Sequence, residues 1–160
     1  MDQQAQERIA IVKDALKWIK AGALIPKAQF EVLPEINAGN KNHEMPLRDV
    51  NLGKCQACCM GALFLSQAVR DIDCKVKNLL WNQGRELLLK YFSQEQLDLI
   101  EVYFEGVVYS WNKSSFLSLE ESKAYQFFQQ HPNDSKRMKL ILRNIIKNKG
   151  AFVPEQLTEV

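Results

Sequence analysis

The sequence predicts a mainly all-α single domain of about five or six helices, with one short strand or hairpin allowed. Apolar residues recur at spacings of three and four along most of the chain, and helix start and stop signals bracket those stretches. The length, 160 residues, suits one domain that buries a core without a disulfide framework or a structural metal, so residues 1–160 read as one unit. A content of 46% hydrophobic and 25% charged residues is that of a soluble globular protein, and no apolar run approaches the ~18 residues of a membrane span.

The first helix lies in "QAQERIAIVKDALKWIKAG", where Ile9, Val12, Leu16 and Ile19 share a face and Gly22 supplies a left-handed stop. Residues 23–52 carry Pro26, Pro34 and Pro46 and the run "NAGNKN", which predicts a long irregular connection with at most a short extended piece. Connections of that length tend to carry function. Leu52 to Val69 is an apolar segment rich in small residues, and "NLLWNQGRELLLKYF" continues the helical pattern up to and beyond a potential break at Gly84. Ser93 and Gln96 have capping-box spacing ahead of a face of Leu97, Ile100 and Phe104. Ser118 and Glu121 repeat that spacing before a helix with Tyr125 and Phe128, ended by Pro132. Asn133 or Asp134 caps a last helix with Met138, Ile141, Leu142 and Ile145 inward and Gly150 at its stop. The segment "GVVYSW", Gly106 to Trp111, is the best strand candidate. Two helix exits, "IKAGALIP" and "KNKGAFVP", echo each other, and independent helix-stop chemistry accounts for both without internal duplication.

The stretch "KCQACCMGALFLS" holds three of the four cysteines. On a helix, Cys55, Cys58 and Cys59 would share a face with Ala62, Leu65 or Ser66, and Val69, which reads as core. A zinc site built on Cys55 and Cys58 is an alternative, but it wants a second ligand pair, and only Cys74 and His43 stand nearby. A redox dithiol is a third reading, favoured by Lys54 and a helix N-terminus, yet only a weak strand signal precedes it. A cysteine nucleophile would need a base, and neither His43 in a polar loop nor His131 at a helix end is well placed for that work. No catalytic residue, metal or cofactor is therefore assigned. Glu95, Asp98, Glu101 and Glu105 read as a solvated helix face.

Charge is segregated. From Asn133 to Gly150 the cations Lys136, Arg137, Lys139, Arg143, Lys147 and Lys149 stand against Asp134 alone, a net of +5; the chain totals +2, so the rest carries −3. A helix of this kind could lie along a phosphate backbone or an acidic partner through Lys136, Arg137, Lys139 and Arg143, or simply be a solvated outer face.

The segments "CQACCMGALFLS", "FSQEQLDLIEVYFEG" and "LILRNIIKNKGAFVP" resemble small uncharacterised proteins of bacteria and their phages. Those proteins share a C-x-x-C-x-x-G-A-L, an F-S-x-x-Q-L-x-x-I-E-x-x-F-E and an N-I-I-x-N-x-G-x-F-V-P segment. The resemblance implies a bacterial or phage origin and carries over no catalytic residue. By analogy it implies an accessory or anti-defence role exerted by binding. The expected function is thus that of a small non-enzymatic binding protein whose partner is a host protein or small ligand. The alternatives are nucleic-acid binding by the basic helix and a cysteine-dependent enzyme or zinc protein. A homodimer is admitted, a membrane partner is not expected, and the absence of a basic–apolar leader predicts the cytoplasm.

Overall fold

The computed structural model describes residues 2–28, 54–71, 74, 81–107 and 115–157, and these are mostly helical. Helix α1 spans Gln3–Lys20. It starts because the Asp2 carboxylate accepts the Ala5 N–H at 2.5 Å, and it stops at Gly22, whose φ of 71° only glycine adopts without strain. The chain then enters strand β1, Leu24–Pro26, which pairs in parallel with β2, Cys55–Ala57, in the register Leu24–Cys55, Ile25–Gln56 and Pro26–Ala57. The extended piece expected within 23–52 is therefore β1, while residues 29–53, His43 among them, lie outside the described residues.

Strand β2 corrects the helical-stripe reading of the cysteines. Cys55 donates its backbone N–H to Ala23 at 2.9 Å and buries its side chain as a strand residue, with Ala57 buried beside it at the next-but-one position. The chain becomes helical only after Cys58, which caps helix α2, Cys59–Arg70. Every residue of α2 from Gly61 to Ala68 is buried, so this helix, apolar nearly all round, is the central one, packed by α1, α3 and α4. Helix α3, Trp81–Leu89, passes through Gly84 without the break that the sequence suggests. A Cβ there would lie 3.0 Å from the Phe64 ring, so the missing side chain lets α3 approach α2 closely.

Helix α4, Gln94–Glu105, is capped by Ser93 Oγ, which accepts from the Gln96 N–H at 3.2 Å, and it buries Leu97, Ile100 and Phe104 as expected. It ends at Gly106, where φ is 74° and any Cβ would meet the Phe128 ring at 2.5 Å. Gly106 and Val107 thus belong to a helix exit and not to the expected strand, the rest of which lies outside the described residues. Helix α5, Ser115–Gln130, begins a turn before Ser118, so Ser118 lies inside the helix and not at its start. Its inward residues are Ala124 and Phe127, and Tyr125 is exposed. Helix α6, Asp134–Lys147, is capped by Asn133, whose side chain accepts from the Lys136 N–H at 2.8 Å. Met138, Ile141, Leu142 and Ile145 are fully buried.

Both echoing exits turn on a left-handed glycine, Gly22 and Gly150, but they diverge afterwards. The first feeds β1; the second runs through Phe152 into a 3-10 turn, Pro154–Gln156. Helices α1 and α6 pack antiparallel, with Arg8 Nε donating to the Gly150 carbonyl at 2.8 Å at one end and the Ala28 N–H donating to Asp134 at 2.9 Å at the other.

Candidate functional site

Of the four cations on which binding by the last helix was expected to rest, Arg137 is not at the surface. It is fully buried, its guanidinium between the rings of Phe104 and Phe128 at 4.8 and 4.3 Å. Nε donates to the Phe104 carbonyl at 2.7 Å, Nη1 to the His131 carbonyl at 2.6 Å and Nη2 to Asp134 at 2.5 Å. The α4 and α5 C-termini leave carbonyls without helical partners, and Arg137 answers both, so its charge is spent inside the fold. The sequence hides this because a burial-ready arginine and a solvated one look alike in composition.

What remains outside is a stripe. Lys136, Arg143 and Lys147 are exposed and Lys139 is half-buried, at i, i+3, i+7 and i+11 along one side of α6. The only acid of that helix, Asp134, is turned to Arg137 and the Ala28 N–H.

The thiols are set up for packing. Cys55, Cys59 and Cys74 are buried, Cys58 is half-buried, and none is in a disulfide. Cys58 Sγ accepts the Gly61 N–H at 3.4 Å as the cap of α2. A helix N-terminus ordinarily lowers a thiol pKa, yet burial outweighs the donated N–H groups, Glu105 and Glu101 add repulsion, and the Cys58 thiol is pushed up to about 12. Burial raises Cys55, Cys59 and Cys74 as well. The thiolate a nucleophile or redox dithiol requires is thus disfavoured at each position. Among the described residues no three His, Cys, Asp or Glu side chains are arranged to hold a metal ion, and the Cys55–Cys58 pair is split between a strand and a helix cap.

Of the four acidic residues of α4, Glu95 is exposed as a solvated face requires, but the other three are not. Asp98 and Glu101 both pair with Arg85 of α3, the latter at 3.3 Å, and Glu105 is 4% exposed. Burial raises the Glu101 carboxyl above the usual range against the pull of Arg85. On the other side of the core, Tyr103 donates to Glu120 at 2.9 Å, and Lys123 donates to the other Glu120 oxygen at 2.8 Å.

The segments that carry the resemblance meet one another. Gln96 and Asn144 both bind the chain after Gly150, and Cys58 and Cys59 lie in the field of Glu105. No family model matches the chain, and no curated protein or solved structure matches it. Among the described residues no helix is long and apolar enough to cross a membrane.

Proposed function

We propose that this is a small binding protein that acts by non-covalent contact with a polyanionic partner through the outer side of α6. The observation that carries the reading is the run of cations Lys139, Arg143 and Lys147 along the outer side of α6, with Lys136 at its N-terminal end. A row of like charges costs self-repulsion in the free protein, and an anionic surface relieves that cost while steering association. The thiols, whose pKa values burial pushes up, give little support to nucleophilic cysteine chemistry, because attack starts from thiolate. The bacterial or phage setting, and an accessory or anti-defence role within it, rest on the resemblance of the three segments alone.

The test is fluorescence anisotropy with a labelled oligonucleotide and with labelled polyglutamate, between about 50 and 200 mM salt, where phosphate-driven binding changes steeply. Binding of at least one probe that weakens with salt, and weakens again in K136Q/K139Q/R143Q/K147Q, is the expected result. Failure of both probes to bind, or binding indifferent to salt and to the substitutions, would overturn the reading.

A further inference from the structure

Helix α1 carries a second row of cations, and its position against α6 gives that row a purpose that neither helix has alone. Lys13, Lys17 and Lys20 are exposed and recur at i, i+4 and i+7. The acids of α1 are elsewhere: Glu7 and Asp14 stand on the flank facing α2, where Arg70 binds them at 3.2 and 2.9 Å. The opposite flank faces α6, since Ala5 and Arg8 touch Gly150 at the end of that helix. On a helical wheel the three lysines fall between this α6-facing flank and the outside. On α6, Arg137 and Asn144 turn toward Phe104 and Val153, so the side that meets α1 is the other one, and Lys139 lies on it. The two rows therefore border one outer surface. Placement of lysines near a helix C-terminus accounts for Lys17 and Lys20 individually, but not for Lys13 or for the shared surface.

We propose that α1 and α6 form a two-row cationic face that binds a nucleic-acid duplex along its phosphate backbones without reading base sequence. This rests on the polyanion reading of α6 and names its partner. At 1.5 Å rise per residue the rows are about 10 Å (Lys13 to Lys20) and about 16 Å (Lys136 to Lys147) long, and packed helix axes lie about 8–10 Å apart. On helices that far apart, the two rows can face the two phosphate strands that flank a groove about 6–12 Å wide, along roughly three base pairs for α1 and five for α6. A single strand offers only one backbone and is normally held by aromatic stacking, which this face lacks. Helix α6 contains no aromatic residue, and Trp18, the one aromatic residue of α1, packs against the core. An acidic protein surface rarely presents two parallel lines of charge at phosphate density.

The experiment compares a duplex of about 20 base pairs, its single strand and polyglutamate across salt, using the intact protein, K13Q/K17Q/K20Q, K136Q/K139Q/R143Q/K147Q and the control K54Q/K90Q, with circular dichroism confirming the fold of each. The expected result is tightest binding to duplex, independent of its sequence. The α1 variant should lose about tenfold or more in affinity and reduce the log–log salt slope by about 2–3, at roughly 0.9 per phosphate contact. The control variant should bind as the intact protein does. Preference for the single strand or for polyglutamate would overturn the duplex assignment. An α1 variant that binds like the intact protein while the α6 variant does not would overturn the two-row face and leave the α6 reading standing. Indifference to both sets would overturn both.

Discussion

The side-chain amide of Gln96 pairs with both backbone polar groups of Phe152: Phe152 N–H donates to Oε1 at 2.6 Å, and Nε2 donates to the Phe152 carbonyl at 3.1 Å. Asn144 does the same for the next residue, with Val153 N–H donating to Oδ1 and Nδ2 donating to the Val153 carbonyl, both at 2.8 Å. Two amides on two helices thus act as strand partners for a segment that pairs with no strand among the described residues. Without them the backbone around the buried Phe152 side chain would leave polar groups unsatisfied beside the core.

Asn144→Ala is therefore expected to cost about 1–3 kcal/mol, more than Gln96→Ala, because Asn144 is buried and its loss strands donors and acceptors that water reaches poorly. Urea melts measure this. The double variant should cost less than the sum, since release of the segment by either change removes the other pairing. Full additivity would mean that the two amides hold the segment independently.

Arg137→Ala should cost about 3–5 kcal/mol, the range for a broken buried ionic cluster, and Arg137→Lys should recover little of it. A lysine ammonium cannot reach the Phe104 and His131 carbonyls and Asp134 in one plane, nor stack between the two rings. Arg143→Gln, on the exposed side of the same helix, should change the stability read from urea melts by no more than about 0.5 kcal/mol. Equal effects of the two changes would refute the division of α6 into a structural and an outward side.

Cys58→Ser is expected to stabilise the protein by about 0.5–1 kcal/mol, because a hydroxyl accepts the Gly61 N–H better than a thiol does at 3.4 Å. Cys59→Ala should instead cost on the order of 1 kcal/mol through a small cavity. With a thiol raised to about 12, Cys58 should react with iodoacetamide at neutral pH far more slowly in the folded protein than in urea. Fast, selective labelling of folded Cys58 would revive the reactive-thiol reading.

The Glu120 carboxyl is held below its ordinary range first by Lys123 and then by Tyr103, against the opposing effect of burial. Because the folded pKa is the lower one, its contribution is present at neutral pH, above the unfolded value, and is lost as pH falls through the carboxylate range to the folded value. Glu120→Gln should thus be less stable than the parent at pH 7, with the gap narrowing on acidification. Thermal melts of both proteins from neutral to acidic pH check this, and a gap that widens toward acid would contradict the assigned direction.

The sequence by itself determined the helical class, the cap at Ser93, the start of α6 at Asn133 or Asp134, the stops at Gly22 and Gly150 and the inward residues of α4 and α6, because these are local: periodicity and cap chemistry act within a turn or two of chain. It also located the cation-rich segment. Tertiary structure alone decided that Cys55 is a strand residue, since β2 exists only through pairing with Leu24–Pro26, far away in sequence. It decided too that Gly84 is a contact point for Phe64 and not a break, and that Ser118 lies inside a helix already begun. The candidate face divides the same way. Charge composition marked Lys136, Arg137, Lys139 and Arg143 alike, but whether a cation is spent on helix-end carbonyls depends on which carbonyls the fold brings to it, and so Arg137 went inward. Lys13, Lys17 and Lys20 joined the face only because α1 packs antiparallel against α6, a long-range contact that no window of sequence contains.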